Sequence, residues 1–97
     1  MTFHALVVED TEDAIGWYES QSPTASVNFK LAVKKALDNI LRTPLTYRKV
    51  LHEIRIYHIK NFPFIIYYLV IKDTVYVVSI FHTSRNPDVW KKRLDDI

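Results

Sequence analysis

Apolar positions along the chain change period three times, and each change predicts a different element. Phe3 to Val8 is a short run containing β-branched residues, which predicts a first strand. Ala14, Ile15 and Tyr18 then recur at three- and four-residue spacing, so a helix is expected from about Thr11 to Gln21. Asp10 would cap it, with Glu12 and Asp13 placing negative charge at the positive end of the helix dipole. Ser22-Pro23 restarts the chain: Ser22 caps, and Pro23 suits a first turn where its missing N–H is not needed. Phe29, Val33, Ala36, Leu37, Ile40 and Leu41 form the apolar stripe of a second helix, opposite Lys30, Lys34, Lys35, Asp38 and Arg42, and Pro44 stops it. With almost no loop between them, the two helices should form a hairpin.

Beyond a polar link, Thr43 to Lys49, the period falls to two. Leu51–Ile59 reads as a strand in which Ile54 and Ile56 alternate with Arg55 and Tyr57. Asn61-Phe62-Pro63 is a turn. Phe64–Ile71 is apolar on both faces and β-rich, the pattern of a central strand. Lys72-Asp73-Thr74 turns the chain without a glycine, and Val75–Phe81 is the partner strand. Asn86-Pro87 predicts the cap and first residue of a short helix reaching about Leu94, with Trp90 on its inner face. The expected fold is α+β, in the order β-α-α-β-β-β-α, with a small antiparallel sheet packed against the helical hairpin.

Composition narrows the chemistry. Ninety-seven residues, 48% hydrophobic and 25% charged, fit one domain spanning 1–97. The absence of cysteine removes disulfides, thiol catalysis and cysteine-bound zinc. The only glycine, Gly16, cannot make a phosphate-cradling loop or a dinucleotide fingerprint. The longest apolar run, Phe62 to Ile71, is too short to span a bilayer and the N-terminus lacks a signal-peptide pattern, so a cytoplasmic protein with no membrane partner is expected. The net charge of +2 hides an asymmetry. Residues 1–29 carry five acids and no base, whereas 30–97 carry all 13 bases and six acids. A basic half of this kind favours an anionic partner, nucleic acid or acidic peptide.

Three stretches then point to a family: Trp17-Tyr18-Glu19-Ser20-Gln21-Ser22-Pro23 followed by Phe29; Ile54-Arg55 with Phe62-Pro63-Phe64-Ile65-Ile66-Tyr67-Tyr68; and Phe81-His82-Thr83-Ser84-Arg85-Asn86-Pro87-Asp88-Val89-Trp90. In this order and spacing the chain resembles the RelE/ParE superfamily, the toxins of type II toxin–antitoxin modules, over essentially its whole length. The resemblance implies a cognate antitoxin, a toxin–antitoxin hetero-oligomer and no cofactor. RelE-like members cut mRNA on the ribosome, and ParE-like members, of the plasmid-stabilisation type, inhibit DNA gyrase. The closing segment and the Pro-linked hairpin look more like the ParE side, so gyrase is the first target expected, the translating ribosome with its mRNA the second, and a degenerate, non-toxic binding module the third.

Cleavage of RNA through its 2′-OH needs a base, an acid and cations around the phosphate. His82 as acid, Glu53 as base, and Arg55 with Arg85 as cations make the candidate set if the chain is a nuclease; otherwise His82 is a strand-end residue and Arg85 pairs with Asp88 or a carbonyl. His4, His52 and His58 are scattered without metal-ligand spacing, and no metal site is expected. For a macromolecular partner the candidates are Arg42, Arg48, Lys49, Arg55, Lys30 and Lys34, a basic set that otherwise reads as solvated surface. Trp17, Tyr18, Tyr67, Tyr68 and Trp90 read chiefly as core aromatics, and Tyr57 as the exception on the Arg55 face.

Overall fold

A computed structural model describes every residue, Met1–Ile97. The elements are β1 (Thr2–Phe3), α1 (Val7–Gln21), α2 (Pro23–Arg42), β2 (Lys49–Leu51), β3 (Ile54–His58), β4 (Phe64–Ile71), β5 (Thr74–His82) and α3 (Asp88–Lys92), followed by a 3-10 turn over Arg93–Asp96. The fold is α+β as expected. The strands make one sheet in the order β1-β5-β4-β3-β2, an antiparallel meander from β2 to β5 with β1 joined in parallel at the β5 edge.

The sheet is covered on both faces. On one, the helical hairpin closes a core of Phe29, Val33, Ala36 and Ile40 against Phe64, Ile66, Tyr68, Val75, Val77 and Ile80. On the other, Trp90 seals Ile54, Val78 and Phe81, and its ring stacks on Tyr67 at 4.1 Å. A register shift between Tyr67 and Tyr68 lets β5 place Val77 and Ile80, three residues apart, in the hairpin core, and Val78 and Phe81 in the Trp90 core. Ser22 works at the hairpin as its sequence implies: in extended backbone it ends α1, and its Oγ accepts from Ala25 N–H at 2.9 Å to start α2. Lys72 and Asp73 both take positive φ, the requirement of a two-residue hairpin turn.

Five expectations are corrected. The run Phe3–Val8 is not a strand: β1 has two residues, and Val7 and Val8 begin α1. The cause is His4, whose Nδ1 accepts from Leu6 N–H at 3.1 Å while its carbonyl accepts from Val7 N–H at 3.0 Å, opening the helix a turn early. Asp10 therefore caps nothing; it sits inside α1 with its carboxylate buried. Leu51–Ile59 is broken at His52, whose φ of 49° ends β2 before β3 begins, leaving Glu53 in the turn. Leu41 lies off the buried stripe, 50% exposed. Asn86 and Pro87 act one residue later than their pattern implies: Pro87 is the cap, and Asn86 Oδ1 accepts from Asp88 N–H at 3.0 Å.

Tyr57, set apart in the sequence from the core aromatics, also packs against a core. Ile54 packs beneath Trp90, while Tyr57 lies half-buried against the hairpin side, its hydroxyl accepting from Asn39 Nδ2 at 2.9 Å. Tyr68 and Trp90 are core residues; Tyr18, Tyr57 and Tyr67 are half-buried; Trp17 is 60% exposed.

Candidate functional site

β5 ends at His82, beside the start of β4 and the middle of α1, and a cleft of about 610 Å³ opens between them. Its walls bring together His82 and Arg85 from the closing segment, Pro63 and Phe64 from the start of β4, and Asp10, Asp13, Trp17 and Tyr18 from α1. Positions 10, 13, 14, 17 and 18 share one helical face, which explains their convergence. Asp13, Ala14, Trp17 and Tyr18 fall on that face within the expected Thr11–Gln21 helix, but Asp10 joins it only once the helix is known to begin at Val7. With the start misplaced by a turn, Asp10 and Asp13 read as end-of-helix charges rather than cleft walls.

His82, Arg85 and Asp10 are held by identifiable partners. Ser84 N–H donates to His82 Nδ1 at 3.0 Å, and Ser84 Oγ lies 2.7 Å from the same nitrogen. In the neutral ring the proton therefore sits on Nε2, so His82 presents a donor to the cleft. The ring rests edge-on against Phe64 at 5.0 Å. Arg85 lies over the Phe81 ring at 4.5 Å and reaches Asp10 Oδ1 at 3.6 Å, not the Asp88 pairing that its sequence neighbourhood offers.

Behind the cleft Asp10 makes its principal contacts. Arg93 grips it two-pronged, Nη1 to Oδ2 at 2.6 Å and Nη2 to Oδ1 at 2.7 Å, and also donates to Val78 O at 3.1 Å. Ser79 Oγ and Ile80 N–H donate to Asp10 Oδ2 at 3.1 and 3.3 Å. His4, buried beside this cluster's C-terminal end, contacts Asp96 Oδ2 through Nε2 at 2.7 Å. Two contacts between the first ten and last five residues thus bind the closing segment to the start of α1. Neither pair is visible as a motif, because its members stand 83 and 92 positions apart.

Glu53 and Arg55 lie elsewhere. Arg55 pairs in register with Tyr68, while His82 pairs with Phe64, four residues away on β4. That is roughly 13 Å along the strands and two strand spacings of about 4.8 Å across them. Arg55 donates to the carbonyls of Tyr47 at 2.6 Å and Leu45 at 3.1 Å, so its guanidinium holds the α2–β2 link. Glu53 is bound by Lys49 at 3.0 Å; that hydrogen bond, then the charges of Lys49, Arg55 and His52, hold its carboxyl below the usual glutamate range. A general base working near neutrality needs the opposite shift. The structure brings His82 and Arg85 together and leaves Glu53 and Arg55 apart from them.

The remaining basic residues form a separate group. Arg42, hydrogen-bonded to Asn39 Oδ1, and exposed Arg48 and Lys49 cluster near the α2–β2 link and the open edge of β2. Lys30 and Lys34 project from the polar face of α2, Lys34 paired with Asp38 at 2.9 Å. Nowhere do three His, Asp or Glu side chains gather as metal ligands, and no helix is long and apolar enough to cross a membrane. Residues 1–87 match the family model described as ParE toxin of type II toxin-antitoxin system, parDE. No curated protein matches the chain.

Proposed function

This chain belongs to the ParE toxin family of type II toxin–antitoxin systems, and we propose that it poisons DNA gyrase by binding, held inactive by a cognate antitoxin. The observation that carries a binding mode over catalysis is the separation of the candidate base from the candidate acid: Glu53 and Arg55 are bound to Lys49 and to loop carbonyls, far from His82 and Arg85. The likeness of the closing segment, Phe81 to Trp90, to the ParE side supports gyrase as the target. The antitoxin segment is expected to be acidic and to fold on the toxin, using the open β2 edge with Arg42, Arg48 and Lys49 as charge partners.

One observation favours a second reading, a ribosome-dependent mRNA endonuclease: His82 and Arg85 share a cleft with Asp13 and Tyr18. His82→Ala separates the two. A gyrase poison keeps its inhibition of supercoiling, and induced cells filament with intact mRNA. A nuclease loses on the order of a hundredfold in cleavage rate and induced cells show cut mRNA, which overturns the gyrase reading. Neither effect, from folded wild-type protein free of antitoxin, leaves a non-toxic binding module.

A further inference from the structure

On the opposite side of the hairpin from the His82 cleft, α2 and the β3–β4 turn enclose a second groove, of about 630 Å³. Lys35 and Asn28 come from the helix, Lys60 and Phe62 from the turn, and Asn39 with Tyr57 closes one end. No carboxylate lines it. The ion pairs of the chain engage Lys34, Lys49, Arg85, Arg93 and His4, and neither Lys35 nor Lys60 is among them. Tyr57 Oη already accepts from Asn39 Nδ2 at 2.9 Å, so its own hydrogen is left to donate. The groove therefore offers two unpaired ammonium groups on facing walls, amide and phenol donors between them, and the half-buried Phe62 ring.

We infer that this groove seats the phosphate backbone of a single-stranded nucleic acid. Three features select that occupant. The two ammonium groups, with no carboxylate in the lining to neutralise them, leave the groove cationic and act as point charges suited to phosphate. The hollow belongs to the protein, so it accepts a strand; reading a duplex requires a protein element that protrudes into the duplex's own groove. An aromatic wall beside a basic track is the arrangement on which single-stranded bases stack. The inference goes beyond the gyrase reading and is independent of it, since Lys35 and Lys60 lie outside the His82 cleft and the β2 edge.

The test is fluorescence anisotropy of the 97-residue chain with a labelled single-stranded DNA of about ten nucleotides, titrated at several salt concentrations. Removing two phosphate contacts should lower the slope of log K against log salt by about 1.4 and weaken binding on the order of 20-fold at 0.1 M salt. Lys35→Gln with Lys60→Gln is expected to do both. Lys72→Gln, at the turn on the other end of the sheet, should leave affinity and slope unchanged. The side-chain amide resonances of Asn28 and Asn39 should shift on adding the oligonucleotide. Equal losses from Lys72→Gln, or an unchanged slope in the double variant, overturn the site. Displacement of the oligonucleotide by poly-glutamate at matched charge overturns the choice of nucleic acid in favour of an acidic peptide.

Discussion

A carboxylate and a guanidinium taken out of water together lose the hydration of both, so a buried pair holds only where geometry and further hydrogen bonds compensate. Asp10 meets that condition, with two contacts from Arg93 and additional donors from Ser79 and Ile80, while Arg93 donates besides to Val78 O and leaves its Nε without a partner. Removing one partner strands the other. Arg93→Ala should cost about 3–5 kcal/mol, a large share of the ~5–15 kcal/mol typical of a domain, whereas Asp10→Leu combined with Arg93→Met should cost distinctly less. Urea denaturation of the three proteins checks this; equal losses in the single and double variants would refute it. Tyr68 acts by different means. Burial pushes its hydroxyl up to about 12, opposed by the charge of Arg55, and that hydroxyl donates to Pro44 O at 2.6 Å. An unfolded tyrosine loses its proton near pH 10, so between about pH 10 and 12 the native state holds the extra proton and stability falls as pH rises. Burial of Tyr18 and Tyr67 acts in the same direction. Melting curves from pH 9 to 12 should show the decline, and Tyr68→Phe should make it shallower.

At the scale of elements, α3 and the turn after it are short but close the second core of the sheet. Trp90 covers Ile54, Val78 and Phe81, Arg93 neutralises Asp10, and Asp96 contacts His4. The family match stops at residue 87, before Trp90, Arg93 and Asp96. A chain ending at Pro87 should therefore lose cooperative unfolding and near-ultraviolet dichroism; retention of both would mean that the second core is dispensable. What the sequence made legible at this scale follows from how local each cause is. The hairpin hinge needs only Ser22 and Pro23, and β4 announces itself through eight consecutive apolar residues. Misread boundaries have non-local causes. Val7 and Val8 look like strand until the His4 ring turns the backbone, and Tyr57 looks apart from the core until it is seen packed against the hairpin side. The candidate site divides the same way: His82 and Arg85 are neighbours in sequence and in space, whereas Asp10, Asp13 and Trp17 join them through a helix whose start lay hidden.

For the whole molecule the charge asymmetry of the chain becomes an asymmetry of surface. Glu9, Glu12, Asp13 and Glu19 are exposed on α1, which packs on the β5 side, while Asp10 is turned inward and cancelled by Arg93. Arg42, Arg48 and Lys49 stand toward the opposite sheet edge, at β2. The molecule is 39 Å in its longest dimension, and the Debye length is about 8 Å at physiological salt, so the acidic and basic regions act on a partner as separate fields. An acidic antitoxin segment approaching the β2 edge meets the basic field without cancellation from α1. Its association rate should therefore fall as salt rises from about 50 to 500 mM, with the dissociation rate nearly constant, because exposed charges steer encounter more than they hold the complex. Converting Arg42, Arg48 and Lys49 to Gln should slow association and flatten its salt dependence. Converting Glu9 and Glu12 to Gln should do neither. Stopped-flow mixing of the purified toxin with the co-purified antitoxin's acidic segment measures both rates, and a salt-independent association rate would remove the β2 edge from the encounter.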